Sequence, residues 1–182
     1  RLSDVAELAQ EIMEEVTTIS ETHGKTRFEA FLDYSEDFLA DILLSPPIEF
    51  CNYDEAARTL HGYCWDSERK EFILVGALFC DAGSSIEEVT VAKAQALLDR
   101  LHKFYEFGRQ GSHKEMDRAN PGKDPAREMH RKRDDAERVQ FVLISNGRFS
   151  FDTLPKPVVA KDIRVDLSLI DIGRYYAHLH EG

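Results

Sequence analysis

The chain has 182 residues, and 34 Asp and Glu against 23 Lys and Arg give a formal net charge of −11 at pH 7. With 42% hydrophobic and 31% charged residues it is not an intrinsically disordered chain, and it is long enough for one globular domain with its own core. The negative charge argues against binding nucleic acid or an anionic membrane over the whole surface, and no apolar run approaches the roughly 20 residues of a membrane span.

Ser3 with Asp4 and Glu7 makes a helix start. Val5, Leu8, Ile12, Val16 and Ile19 follow at spacings of three and four, with Asp4, Glu7, Glu11, Glu14 and Glu15 mostly off that stripe, and Gly24 ends the helix. A second helix is expected over about 26–44, with Phe28, Phe31, Ser35, Phe38, Leu39 and Ile42 facing inward and Ser45-Pro46-Pro47 stopping it. Strands are expected over 48–53 and 58–65, the second followed by a polar hairpin turn at 66–70. Residues 72–80 (Phe-Ile-Leu-Val-Gly-Ala-Leu-Phe-Cys) are almost continuously apolar, the pattern of a central strand covered on both faces. Ile73, Val75, Ala77 and Phe79 are accordingly expected in the core, together with Phe141 and Leu143.

A third helix is expected over about 86–108, then a mobile loop over 109–124. Pro125 suits the first turn of a further helix, reaching about Arg138 and poor enough in apolar residues to lie on the surface. Val139–Ser145 is another buried strand, closed by an Asn146-Gly147 turn. After a loop over 150–160, Ile163, Val165, Leu167 and Leu169 alternate with polar residues, as in a half-covered strand at or near a sheet edge. Asp171 is expected to cap a last helix carrying Tyr175, Tyr176 and Leu179. The expected class is α/β (α+β): a central mixed sheet of about five strands flanked by helices, with the αβββαβ order of a restriction-endonuclease-like core.

The charge is unevenly spread. Residues 1–55 hold 14 acids and 3 bases, whereas residues 56–182 hold 20 of each. The acidic excess belongs to the first two helices, as a solvated face or as a docking face for a basic partner. Cys51, Cys64 and Cys80 lack CxxC spacing, which suits a reducing cytoplasm, with Cys64 and Cys80 as small buried hydrophobes. The sequence opens on Arg1 without the basic-then-apolar pattern of a secretory leader. It reads as a single domain over 1–182, trimmed or cut from something longer.

No phosphate-cradling glycine motif, nucleophile elbow or HExxH is present. His178 and His180, two apart on a helix, point to different faces and make no metal site. A nuclease with the strand order above needs a helix Glu, an Asp on the second strand and an acid-x-Lys on the third, to hold Mg²⁺ and ready a water. Glu29 could fill the first role, but His61 stands at the second position and 72–80 offers neither acid nor Lys; Lys70 and Glu71 only flank its start. Asp54, Asp66 and Asp81 lie at strand ends. If catalysis exists, its residues are Glu29, His61, Asp66 and Glu71. Arg131, Lys132 and Arg133 form a local basic cluster that could touch phosphate, diluted by Glu128, Asp134, Asp135 and Glu137. No metal or cofactor is expected unless the chain is a nuclease, in which case the ion is Mg²⁺.

Several segments together carry a resemblance. His61-Gly62-Tyr63 with Trp65-Asp66 precedes an apolar strand, Lys103-Phe104-Tyr105 ends a helix, and Val142-Leu143-Ile144-Ser145-Asn146-Gly147 forms a strand and turn. Val165, Leu167 and Leu169 then lead into Ile170-Asp171-Ile172 and Arg174-Tyr175-Tyr176. Over about residues 26–180 this combination resembles the N-terminal region of the abortive infection phage resistance (AIPR) proteins. His61 departs from the Asp usual in that family. The resemblance implies bacterial anti-phage defence, with this module as a sensing, assembly or nuclease-like part. Two functions remain open: a non-catalytic or degenerate nuclease-like module acting by protein contacts, or a Mg²⁺-dependent nuclease cleaving phage or host nucleic acid. The expected partner is the C-terminal part of the same protein or another protein, with a homodimer possible, nucleic acid left open and no membrane. The acidic helices or the Asp171–Tyr176 element are the expected contact surface.

Overall fold

The computed structural model describes residues 2–81, 85–151, 153–156 and 163–181. Two helices come first, α1 (Leu2–His23) and α2 (Arg27–Leu43), then an antiparallel meander of β1 (Glu49–Glu55), β2 (Arg58–Asp66) and β3 (Glu71–Leu78). A short β4 (Glu88–Thr90) leads into α3 (Val91–Arg109), a 3₁₀ turn over Ser112–Glu115 and α4 (Lys123–Arg131). The chain ends with β5 (Arg138–Ser145), β6 (Arg148–Ser150), β7 (Arg164–Ile170) and α5 (Ile172–Glu181). The main sheet runs β1-β2-β3-β5-β7. β1, β2 and β3 pair antiparallel; β5 lies parallel to β3, and β7 parallel to β5. This is an α/β fold on a mixed five-stranded sheet.

β3 is the middle strand, as its unbroken apolar run requires. Alternate side chains enter two cores. Ile73, Val75 and Ala77 join Val142 and Ile144 against Ile12, Val16, Phe31, Leu39 and Tyr175 of α1, α2 and α5. Phe72 and Leu74 join Phe141 and Leu143 against Leu98, Leu101, Phe104 and Tyr105 of α3 and Met129 of α4. Phe79 is an exception to the expected core set. It lies past the end of β3 and is half-buried, its ring stacked 5.4 Å from that of Phe31.

Helix ends follow local chemistry. Gly24, at φ +62°, ends α1. Thr26 and Glu29 form a reciprocal capping box at the start of α2. α3 starts at Val91, later than expected, because Thr90 is its cap and accepts the Lys93 N–H. The preceding residues are taken by an unforeseen two-stranded parallel sheet of β4 and β6, with Val89 opposite Phe149. Asn146-Gly147 therefore leads into a separate sheet and does not fold a hairpin back onto β5.

The 109–124 segment is organised, contrary to expectation. After the 3₁₀ turn, Asn120 accepts the Gly122 N–H and donates to Glu55, and Lys123 donates to the Met116 carbonyl. α4 is shorter than expected, ending at Arg131, and it is not only a surface helix, since Ala126 and Met129 are fully buried. Gly108 of α3 makes room for it: a Cβ there would meet Met129 Sδ at 3.1 Å. β7 is an edge strand, as its alternation indicates. The three cysteines are free; Cys64 is buried, but Cys51 and Cys80 are only half-buried.

Candidate functional site

The sequence-derived site residues divide between the two ends of the main sheet. His61 sits near the start of β2 and is 3% exposed. Its Nδ1 accepts the Ala77 N–H at 2.8 Å, which places the ring proton on Nε2. The Phe28 ring lies edge-on at 4.8 Å. Nε2 is 3.8 Å from Asp54 Oδ2, too far for a hydrogen bond, and has no other partner among the described residues. Burial lowers the imidazole pKa from 6.5 to about 4, and the nearby Asp54 offsets only part of that. His61 is thus a neutral group at pH 7 that satisfies a strand amide where β2 and β3 part.

Asp54 belongs to a clamp that sequence reading missed. Arg100 of α3 donates from Nε to Thr59 Oγ1 at 2.7 Å, from Nη2 to Asp54 Oδ1 at 2.7 Å and from Nη1 to the Ala56 carbonyl at 3.2 Å. Partial burial pushes the Asp54 carboxyl up, but hydrogen bonds from Thr59 and Arg100 outweigh it and leave the carboxyl below its ordinary range. The one legible sign was Asp54 facing Thr59 across a two-residue turn. Arg100 is some 40 residues away, and nothing local announces it.

Asp66 and Glu71 face each other at the other end of β2 and β3. Asp66 Oδ1 accepts the N–H groups of Glu68 and Arg69 at 3.1 and 3.2 Å, closing the hairpin turn. Glu71 is 4% exposed and its Oε1 has no hydrogen-bond partner among the described residues; burial raises its pKa. Asp66 is five residue steps along β2 from His61, about 17 Å at strand rise. Glu29 is spent on the α2 cap, where its Oε1 accepts from the Thr26 hydroxyl at 2.9 Å. It borders a small cavity of about 160 Å³ over β1, with Phe50, Cys51 and Asn52, and His61 is not in its lining. Asp81 pairs with Arg27 at 2.9 Å.

These carboxylates do not converge, and among the described residues no three His, Cys, Asp or Glu side chains could together hold a metal ion. The donor set does not fit Mg²⁺, which requires clustered oxygen ligands. The basic cluster is also engaged locally. Arg131 lies 3.6 Å from Glu128, Arg133 donates to the His130 carbonyl, and Lys132 sits over the Trp65 ring at 5.8 Å.

The motif segments meet instead at the C-terminal ends of β3, β5 and β7. Asn146 grips Cys80 like a strand neighbour, accepting its N–H at 2.7 Å and donating to its carbonyl at 2.8 Å. Ser145 donates to the Leu78 carbonyl and accepts the Gly147 N–H. A Cβ on Gly147 would lie 2.7 Å from the Glu87 carbonyl, so only glycine fits there. Gly147 accepts the Ile172 N–H at 3.0 Å. Asp171 Oδ1 accepts the N–H groups of Gly173 and Arg174, as expected of a cap, while its Oδ2 takes the Phe149 N–H at 3.0 Å. Beside this knot is a cavity of about 280 Å³ lined by Phe28, Ala77, Phe79, Cys80 and Val89, with Glu87, Glu88 and Lys93 at its rim. The other motif residues pack: Gly62 faces Ile48 and Phe50, and Phe104 and Tyr105 are buried under the sheet.

The model of the abortive infection phage resistance protein N-terminal domain matches residues 31–177, well over half of the chain. The chain belongs to this family. Family membership gives it a role in abortive infection phage defence. No curated protein and no solved structure matches the chain. No helix among the described residues is long and apolar enough to cross a membrane.

Proposed function

We propose that this domain serves abortive infection as a non-catalytic module with a degenerate nuclease-like core, acting through protein contacts. One observation carries the reading: the motif residues that mark the family are consumed in building the fold, and the carboxylates that could have formed a metal site are scattered or paired. Asn146, Gly147 and Asp171 lock strand ends. Glu29 caps a helix, Asp66 closes a turn and His61 fills a strand amide.

The order of three antiparallel strands followed by parallel β5 and β7 favours a nuclease-like ancestry. In that layout the polar centre lies where β2 and β3 diverge. Here that place holds a neutral buried imidazole and the apolar Ala77 and Leu78. Among the described residues Asp54 is the one carboxylate paired with that imidazole, and it is held by Arg100 and Thr59 without a second acid to complete a water-activating cluster. The contacts would be made with the rest of a longer protein or with another protein.

Plasmid nicking by the purified 182-residue chain tests the reading. The expected result is no nicking with Mg²⁺ or Mn²⁺ above the buffer control. Nicking that disappears in Glu29→Ala or Asp66→Ala would overturn it and establish the nuclease alternative.

A further inference from the structure

The acidic N-terminal helix and the final helix are adjacent in space, and a groove of about 350 Å³ runs between them. Leu8, 5% exposed, packs in the core beneath it, and Tyr176 and Leu179 of α5 flank it. Leu179 is 43% exposed, one of three large apolar side chains left that open among the described residues. Tyr176 is fixed against His180, their ring centroids 4.2 Å apart. Glu7 and Glu11 border the groove from α1, one helical turn apart, and neither is in an ion pair among the described residues.

Exposed leucine flanked by unpaired carboxylates defines a partner by its complement. Asp4, Glu7, Glu11 and His180 make the polar part of the lining and Leu8, Tyr176 and Leu179 the apolar part; the apolar part calls for an apolar side chain, and Glu7 and Glu11 call for cations one turn apart. An α-helix delivers both, because side chains at i and i+4 lie one turn apart on one face while an apolar stripe runs along the flank beside them. The same rim repels polyanions and anionic lipid. We propose that the α1/α5 groove docks a basic amphipathic helix of a protein partner, an apolar side chain seated on Leu179 and Tyr176 and Lys or Arg reaching Glu7 and Glu11. This inference rests on the contact-module reading and gives it a site and a partner chemistry.

The probe is a fluorescein-labelled Leu/Lys peptide with its leucines on one helical stripe, compared with a scrambled peptide of the same composition. Anisotropy titrations should show the amphipathic peptide binding about tenfold more tightly than the scrambled one, about one factor of ten per 1.4 kcal/mol. Leu179→Ser and the double variant Glu7→Gln/Glu11→Gln should each abolish most of that preference. Glu14→Gln/Glu21→Gln removes the same charge from other exposed positions of α1 and should leave it unchanged. Equal binding of both peptides, equal loss in the two double variants, or no binding at all would overturn the proposal. Circular dichroism melts check that each surface variant remains folded. The nicking experiment involves none of these residues, so the two ideas fail separately.

Discussion

His61 should make stability depend on pH in a defined window. Its folded pKa is about 4 against 6.5 for the free side chain, because a ring that is 3% exposed cannot be charged cheaply. Between those values the unfolded chain binds a proton that the folded chain refuses. The contribution is therefore complete above about pH 6.5 and is lost as pH falls towards 4. At 1.36 kcal/mol per unit, the shift corresponds to about 3 kcal/mol. Glu71 acts in the opposite direction: its raised pKa favours the folded state at low pH, and that contribution disappears as pH rises. The comparison is therefore made against His61→Asn, whose amide Oδ1 can still accept the Ala77 N–H but does not titrate. Urea unfolding at pH 7 and at about pH 4.5 measures both proteins. The wild type should lose about 2–3 kcal/mol more than the variant over that interval. Equal losses would refute the placement of a neutral, desolvated imidazole at position 61.

Three further outcomes follow from the packing. Val75, fully buried in the middle strand, should not tolerate Asp: an unpaired buried charge costs several kcal/mol, and an unchanged melting temperature would contradict its position. Asp171→Ala removes the acceptor of three backbone N–H groups, two at the start of α5 and one on β6. Denaturant unfolding should show a loss of about 1–2 kcal/mol, with α5 amides exchanging faster in hydrogen-exchange experiments. Gly76→Ala would bring a Cβ to 2.9 Å from Leu97 Cγ and 3.0 Å from Leu101 Cδ1. Overpacking of this kind costs about 1–3 kcal/mol, so a variant as stable as the wild type would show that α3 lies farther from β3.

Hydrophobic periodicity by itself determined helices α1 to α5, the five strands of the main sheet and the central place of β3. A run such as Phe72–Leu78 escapes water only by burying both faces, and Val165, Leu167 and Leu169 alternate because one face of an edge strand remains open. The Asp171 cap was equally legible, since it acts on N–H groups within three residues of itself, whereas the Thr26–Glu29 capping box went unread because Glu29 was assigned to a metal site. The β4–β6 pair was not, because three-residue strands carry too little pattern to announce a parallel partner some 60 residues away. The order in 109–124 was hidden for a related reason: its bonds run from Asn120 to Glu55 and from Lys123 to Met116, and Gly and Pro show where a chain bends but not what it then touches. The candidate site shows the same division. Residue type nominated Glu29, His61, Asp66 and Glu71, whereas their use depends on which neighbours the sheet supplies. Only the tertiary structure set His61 on a strand amide and Asp66 and Glu71 at a hairpin end about 17 Å from it. It also joined an acidic stripe near the start of the chain to an exposed leucine near its end. A carboxylate's chemistry is set by the donors within a few ångströms of it, and folding, not sequence spacing, chooses those donors.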